Sequence, residues 1–238
     1  NLQRPLYGFI KELVRYKKKQ MKNKKITFYD PKEEKLNVIS HGIGLILSVF
    51  GMVFLVVYAS LYGSAWHVTS FSIFGASLII LYGASTLYHY SKCPKLRHRL
   101  NIFDHAAIYI LIAGTYTPFA LIVLKGWVGW AIFGISWGLA VTGVITKLFL
   151  TGKYDKISTL TYILMGWLII VALEPLISQL SIPGLLWLFI GGIAYTFGAI
   201  LYSIKSIKYN HAIFHLFVLL GSISHFVSIF FYVLPIQK

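Results

Sequence analysis

The sequence is short of cysteine and of charge: one cysteine, Cys93, and seven acidic residues stand in 238. A single cysteine excludes an intramolecular disulfide, so the redox compartment cannot be read from it, and Cys93 reads as an incidental loop thiol. Charged residues make up 12% of the chain, about half the share of an ordinary soluble domain. That shortage excludes a freely soluble globular protein. Ten-residue segments of alternating apolar and polar character are also missing, which excludes a membrane β-barrel. No secretory signal peptide is expected ahead of the first apolar run, because the region upstream is long and strongly basic. No internal repeat or low-complexity linker interrupts the apolar part.

What the chain does have is hydrophobic length. Apolar residues make up 57% and mean hydropathy is +0.72. Seven apolar segments fall at about 37–59, 67–90, 104–124, 127–149, 157–177, 183–204 and 211–234. Several exceed the roughly 18 uncharged residues that a helix needs to cross a hydrocarbon core. Backbone inside lipid must satisfy its own hydrogen bonds, so each segment reads as a helix. The expected fold is all-α and polytopic, with seven transmembrane helices over 37–238. A basic segment, 1–36, precedes them. Met21 resembles a native start, so residues 1–20 read either as an amphipathic segment for anionic lipid or as non-native sequence.

Twenty of the 22 Lys and Arg fall before the first span or in the regions of the 2–3, 4–5 and 6–7 connections, Lys147 at the end of span 4 among them; Lys125 and Lys238 are the exceptions. The positive-inside rule therefore predicts a cytoplasmic N-terminus and an outside C-terminus. Trp66, Trp127, Trp130 and Trp187 fall near the outer ends, as interfacial anchors should. The net charge of +15 thus tracks topology, and no nucleic-acid partner is expected. The location implied is a cytoplasmic (inner) membrane.

Polar residues concentrate at one membrane level. Glu34, Asn37 and His41 enter span 1; Ser85 and His89 close span 2; Asp104 and His105 open span 3; His211 and His215 open span 7. The outer level has only His67 and Glu174. His211 and His215 are spaced i, i+4, which stacks both rings on one helix face. With His89 they supply three ligands for one Zn²⁺ and leave its fourth position open, the pattern of a catalytic site. Asp104 is then a candidate general base and Ser85 a candidate oxyanion contact. Plainer readings stand beside these. The histidines could pair across helices, Asp104 could cap a helix, and Ser85 could bond the preceding turn. Glu34, Asn37 and His41 read as first-turn capping or as a polar brace around the ligands. His225 lies roughly 21 Å from the His211 level at 1.5 Å per residue, too far to share that metal, and reads as an interhelical hydrogen-bonder. His67 and His98 read as solvated loop or interface residues, and Glu174-Pro175 as the end of span 5.

Four stretches carry a family resemblance: "EEKLNVISHG" around His41, "STLYH" from Ser85 to His89, "NIFDHAAIYILIAGTYTP" around Asp104 and "HAIFH" from His211 to His215. Over about 26–238 the chain resembles the hemolysin III family, the bacterial branch of the progestin and adipoQ receptor group that includes adiponectin receptors. The resemblance implies seven helices with the N-terminus inside, opposite to G-protein-coupled receptors. It also implies an intramembrane zinc on His89, His211 and His215, an aspartate (Asp104) at the zinc water and a nearby serine (Ser85). Eukaryotic relatives are associated with ceramidase-like lipid amide hydrolysis; bacterial ones carry the name of a haemolysin, and some are linked to membrane-lipid homeostasis. Three functions compete. The leading one is a zinc-dependent hydrolase of lipid amides or esters, with membrane lipids as partners and a fatty acid or acyl lipid in the helix-bundle cavity. The second is a zinc-stabilised receptor or regulator without turnover. The weakest is a pore, because no continuous polar stripe marks an aqueous path.

Overall fold

The computed structural model describes residues 28–150 and 155–234, with the side chains of residues 150, 155 and 156 left aside. The expectations for residues 1–20, for Met21 and for the C-terminal Lys238 lie outside these residues. Eight α-helices make up the described chain: α1 (Pro31–Tyr62), α2 (Ala65–Tyr90), α3 (Pro94–Pro118), α4 (Gly126–Leu150), α5 (Asp155–Gly166), α6 (Leu173–Gln179), α7 (Ile182–Ser203) and α8 (Asn210–Ser228). Short π-helical segments prolong α3 (Phe119–Leu124) and α8 (Ile229–Val233), and a 3₁₀ turn (Leu168–Ala172) joins α5 to α6. Together they form seven helices long and apolar enough to cross a membrane. The chain is a multi-pass membrane protein.

Over its first half α1 is inside-out relative to a helix of a soluble bundle, whereas an apolar core around Leu55, Phe71, Phe74, Leu78 and Phe119 holds the bundle together farther along. On α1 the buried stripe is Asn37, His41, Gly44 and Ser48, at spacings that keep one helix face. Its opposite side exposes Ile43, Leu47, Phe50, Phe54, Val57 and Leu61. In lipid the apolar side chains need no burial, and polar or small residues drive helix contact. Small residues set the closest approaches. A Cβ at Gly44 would stand 2.5 Å from the Tyr82 ring, and one at Gly191 would stand 2.2 Å from the His225 ring.

Four sequence expectations need correction. First, α3 begins at Pro94, ten residues before the expected edge at 104. Its opening turns carry Lys95, Arg97 and Arg99, which hydropathy cannot tell from a loop. Asp104 therefore lies almost three turns inside the helix and is not an N-cap. Second, the fifth span is broken by the 3₁₀ turn. Tyr116 repairs the break, donating to Gly166 O at 2.8 Å and accepting from Ile169 N at 2.9 Å. Freed backbone groups at membrane depth are tolerated when a neighbouring helix satisfies them in this way. Third, Glu174-Pro175 does not end that span, because α6 runs on to Gln179. Fourth, the first span starts early, at Pro31, where Asp30 accepts from Lys32 N at 2.9 Å.

The charge distribution makes a topology prediction. A reporter active only in the cytoplasm, fused after Lys238, is expected to be silent, and the same reporter ahead of Asn1 to be active. Activity at the C-terminus would reverse the orientation.

Candidate metal centre

His211 and His215 stand one turn apart at the start of α8, and His89 lies in the last turn of α2. All three are buried. Ring centroids are 4.6 Å apart for His211 and His215, 4.9 Å for His89 and His211, and 5.0 Å for His89 and His215. One ring nitrogen from each lies within 4.8 Å of the others. Nε2 of His89 is 3.1 Å from Nε2 of His211. Two nitrogens at about 2.0–2.1 Å from one tetrahedral zinc would stand about 3.3 Å apart. The spacing fits one metal ion.

The other ring nitrogens point outward, and each meets an oxygen. Nδ1 of His89 is 2.7 Å from Glu34 Oε2. A carboxylate only accepts, so this nitrogen carries a proton, and in the neutral ring the lone pair is on Nε2. Asn37 Nδ2 also reaches that Nδ1, at 3.3 Å, while its Oδ1 has no partner among the described residues. Exchanging the two ends of this amide would match donors with acceptors. Nδ1 of His211 lies 3.0 Å from the Tyr29 hydroxyl. Burial pushes the Tyr29 hydroxyl well above its ordinary pKa, so it is a neutral phenol able to accept that proton. Nδ1 of His215 is 3.4 Å from Ser40 Oγ, whose own proton goes to Asn37 O at 3.2 Å. Ser40 is thereby left as an acceptor. Three outward partners favour one tautomer in all three rings, with Nε2 turned inward. In that tautomer the lone pairs of His89 and His211, 3.1 Å apart, could share one cation; without a cation, one of these two nitrogens donates to the other. The donor set fits zinc, which takes three imidazoles readily.

Beside the cluster lies a cavity of about 160 Å³. Ser85, Asp104, His41, His105, His211 and His215 line it, and its wall continues along α3 through Ile108, Leu111, Ile112 and Phe119. Ser85 is buried and its Oγ has no partner among the described residues, so it does not bond the preceding turn. Asp104 faces the same cavity but is outside the group of clustered ligand atoms. His41 stacks on His215 with centroids 3.4 Å apart and planes 11° apart, and it meets the Tyr82 ring edge-on. It is not a capping residue. Glu34 does both: from the first turn of α1 it accepts from Tyr29 N at 3.0 Å, as a cap does, and it pairs with His89 and Arg97.

The remaining histidines stand apart from the cluster. Nε2 of His225 lies 3.1 Å from Leu188 O and ties α8 to α7, the interhelical role expected of it. His225 also lines the cavity wall. His67 belongs to the N-terminal turn of α2, where its Nδ1 accepts from Ser64 N at 3.1 Å. His105 contributes its carbonyl to Tyr162 OH at 2.9 Å. Tyr29, Ser40 and Arg97 touch or brace the cluster and carried no signal in the sequence. Each becomes legible only when α1 lies against α2 and α8.

The family model described as "Haemolysin-III related" matches residues 29–226. "Hemolysin-3" of Bacillus cereus is 50% identical over 204 residues, covering 86% of this chain and 93% of that protein. "Hemolysin-3 homolog" of Bacillus subtilis (strain 168) is 49% identical over 201 residues, covering 84% and 94%. "Monocyte to macrophage differentiation factor" of Homo sapiens is 25% identical over 206 residues, covering 84% of each chain. The match takes in every residue of the three-histidine cluster and its braces.

Proposed function

The chain belongs to the haemolysin-III-related family, and on that premise we propose that it is a zinc-dependent hydrolase of lipid amide or ester bonds, seated in the bacterial inner membrane. The observation that carries this reading is the inward turn of three imidazoles, each braced from outside, beside an apolar cavity. Zinc, when bound, supplies Lewis acidity toward an acyl carbonyl and toward water.

The chain's own residues supply the rest. Asp104 opens onto the cavity beside His211 and His215 and accepts a proton from the attacking water. Ser85 Oγ, buried and unengaged, donates to the carbonyl oxygen of the bond being cleaved. Ile108, Leu111, Ile112 and Phe119 give the acyl chain an apolar wall and keep bulk water away. The amide or ester bond breaks as water adds, and the leaving amine or alcohol departs with a proton returned from Asp104.

The experiment is turnover of fluorescent ceramides, N-acyl lipids and phospholipid esters by the purified protein. Hydrolysis of one class that stops on chelation and returns with zinc is the expected outcome. Absence of turnover across all three classes moves the function to a receptor or regulator. One observation favours that second reading over a pore: the cluster joins the end of α2 to the start of α8, so metal occupancy there would fix how these helices meet.

A further inference from the structure

We infer that Arg97 is a positioning residue for the metal ligand His89, acting on both its backbone and its ring. This rests on the metal reading above. The sequence places Arg97 among the basic residues of a cytoplasmic connection, yet it is the largest fully buried side chain among the described residues, 1% exposed. A solvated loop charge would not be.

Its contacts explain the burial. From the first turns of α3, Nη1 donates to the carbonyls of Tyr88 at 3.0 Å, His89 at 3.3 Å and Ser91 at 3.2 Å. These close α2, where helix carbonyls have no partner within the helix. Nη2 donates to Glu34 Oε1, and the other oxygen of that carboxylate takes the Nδ1 proton of His89. Phe28 and Tyr88 lie against the guanidinium, each ring centroid 4.5 Å from Cζ. One side chain thus fixes where the His89 backbone stands and which way its ring is turned.

Arginine is the residue type this needs. A planar fork can cap carbonyls with one nitrogen, hold a carboxylate with another and still stack between two rings. Lysine keeps the charge but gathers its three donors on one nitrogen and has no flat face. Arg97→Lys therefore isolates the geometry from the charge.

The test is titration of chelator-stripped, full-length protein with Zn²⁺ and with Co²⁺, reading affinity and the visible Co²⁺ spectrum. Losing an outer partner of a ligating histidine weakens metal binding about 10–100-fold. That is the expectation for Arg97→Lys, with a changed cobalt spectrum. Glu34→Gln is expected to weaken binding by a similar factor. The pair combined should bind no worse than about the weaker single variant, because both act through one network. Trp137→Phe serves as the structural control. It removes a 3.1 Å bond to Thr117 at the opposite end of α3, so it should lower thermal stability and leave both metal readouts unchanged.

Phe28→Ala guards against a misfolded Arg97 variant. Phe28 is 53% exposed, so its loss spares the core while uncovering one face of the guanidinium, and about two- to fivefold weaker binding is expected. Parent-like affinity and spectrum in Arg97→Lys overturn the inference. So does a double variant whose losses multiply, or, where Arg97→Lys does not fold, an unchanged Phe28→Ala. A parent that binds neither metal overturns the metal reading itself, and this inference with it. A parent that binds zinc alongside an unaffected Arg97→Lys removes only the role of Arg97.

Discussion

Replacing His211 and His215 together by alanine is expected to abolish zinc retention by the purified protein, where the parent carries about one ion per chain. Three imidazoles whose ring nitrogens lie within 4.8 Å of one another could hold one ion. The double variant keeps His89 alone, and a single imidazole cannot hold zinc against a chelator. Each single replacement leaves two ligands and should lose most of the metal. Thermal stability follows by linkage, because an ion that binds only the folded state stabilises it by RT ln(1 + [L]/Kd). At free zinc about a thousandfold above Kd that is about 4 kcal/mol. The parent should therefore melt at a clearly higher temperature with zinc than after chelation, and the double variant should melt at the same temperature in both. Elemental analysis beside a thermal-shift series reads both quantities. Full zinc occupancy in the double variant would remove these residues as ligands.

How much of this could be read from the sequence follows from what each feature depends on. Span number and helical type depend on apolar length, which is local, and the seven spans are present. Helix starts depend on more. The first turns of α3 are as basic as a loop, so hydropathy placed the edge at Asp104 and made that residue a capping candidate. The break in the fifth span is invisible for the opposite reason: Leu168–Ala172 is as apolar as any helix, and only Tyr116, fifty residues away in the chain, makes a 3₁₀ turn tolerable there.

The site divides in the same way. His211 and His215 are legible because i, i+4 spacing is a property of one helix. Their closeness to His89 follows once topology puts the end of α2 and the start of α8 at one level. The braces are not legible. Ser40, Tyr29 and Glu34 meet the rings only through the packing of α1 against α2 and α8. Arg97 is the extreme case: nothing in its sequence neighbourhood separates it from Lys95 and Arg99, which are exposed.

Asp104→Asn is the variant that separates an enzyme from a metal-stapled regulator. Asp104 faces the cavity beside His211 and His215 but does not belong to the clustered ligand atoms, so the metal should be held without it. Asparagine preserves size and hydrogen bonding, and the fold should accept it. Zinc content and melting temperature are therefore expected to stay near the parent's. Proton transfer is another matter. A neutral amide cannot take a proton from an attacking water, and general-base contributions are worth roughly 10²–10⁴-fold. Hydrolysis of the lipid class turned over by the parent should fall by about that factor, with zinc occupancy unchanged. Under the regulator reading the same variant has no turnover to lose. Two results would break the assignment in different places. Equal hydrolysis by Asp104→Asn and the parent removes Asp104 as the base while leaving the three imidazoles untouched. Loss of zinc from Asp104→Asn makes the carboxylate a holder of the metal, and the proton must then leave by another group on the cavity wall, with His105 and His41 the nearest in kind.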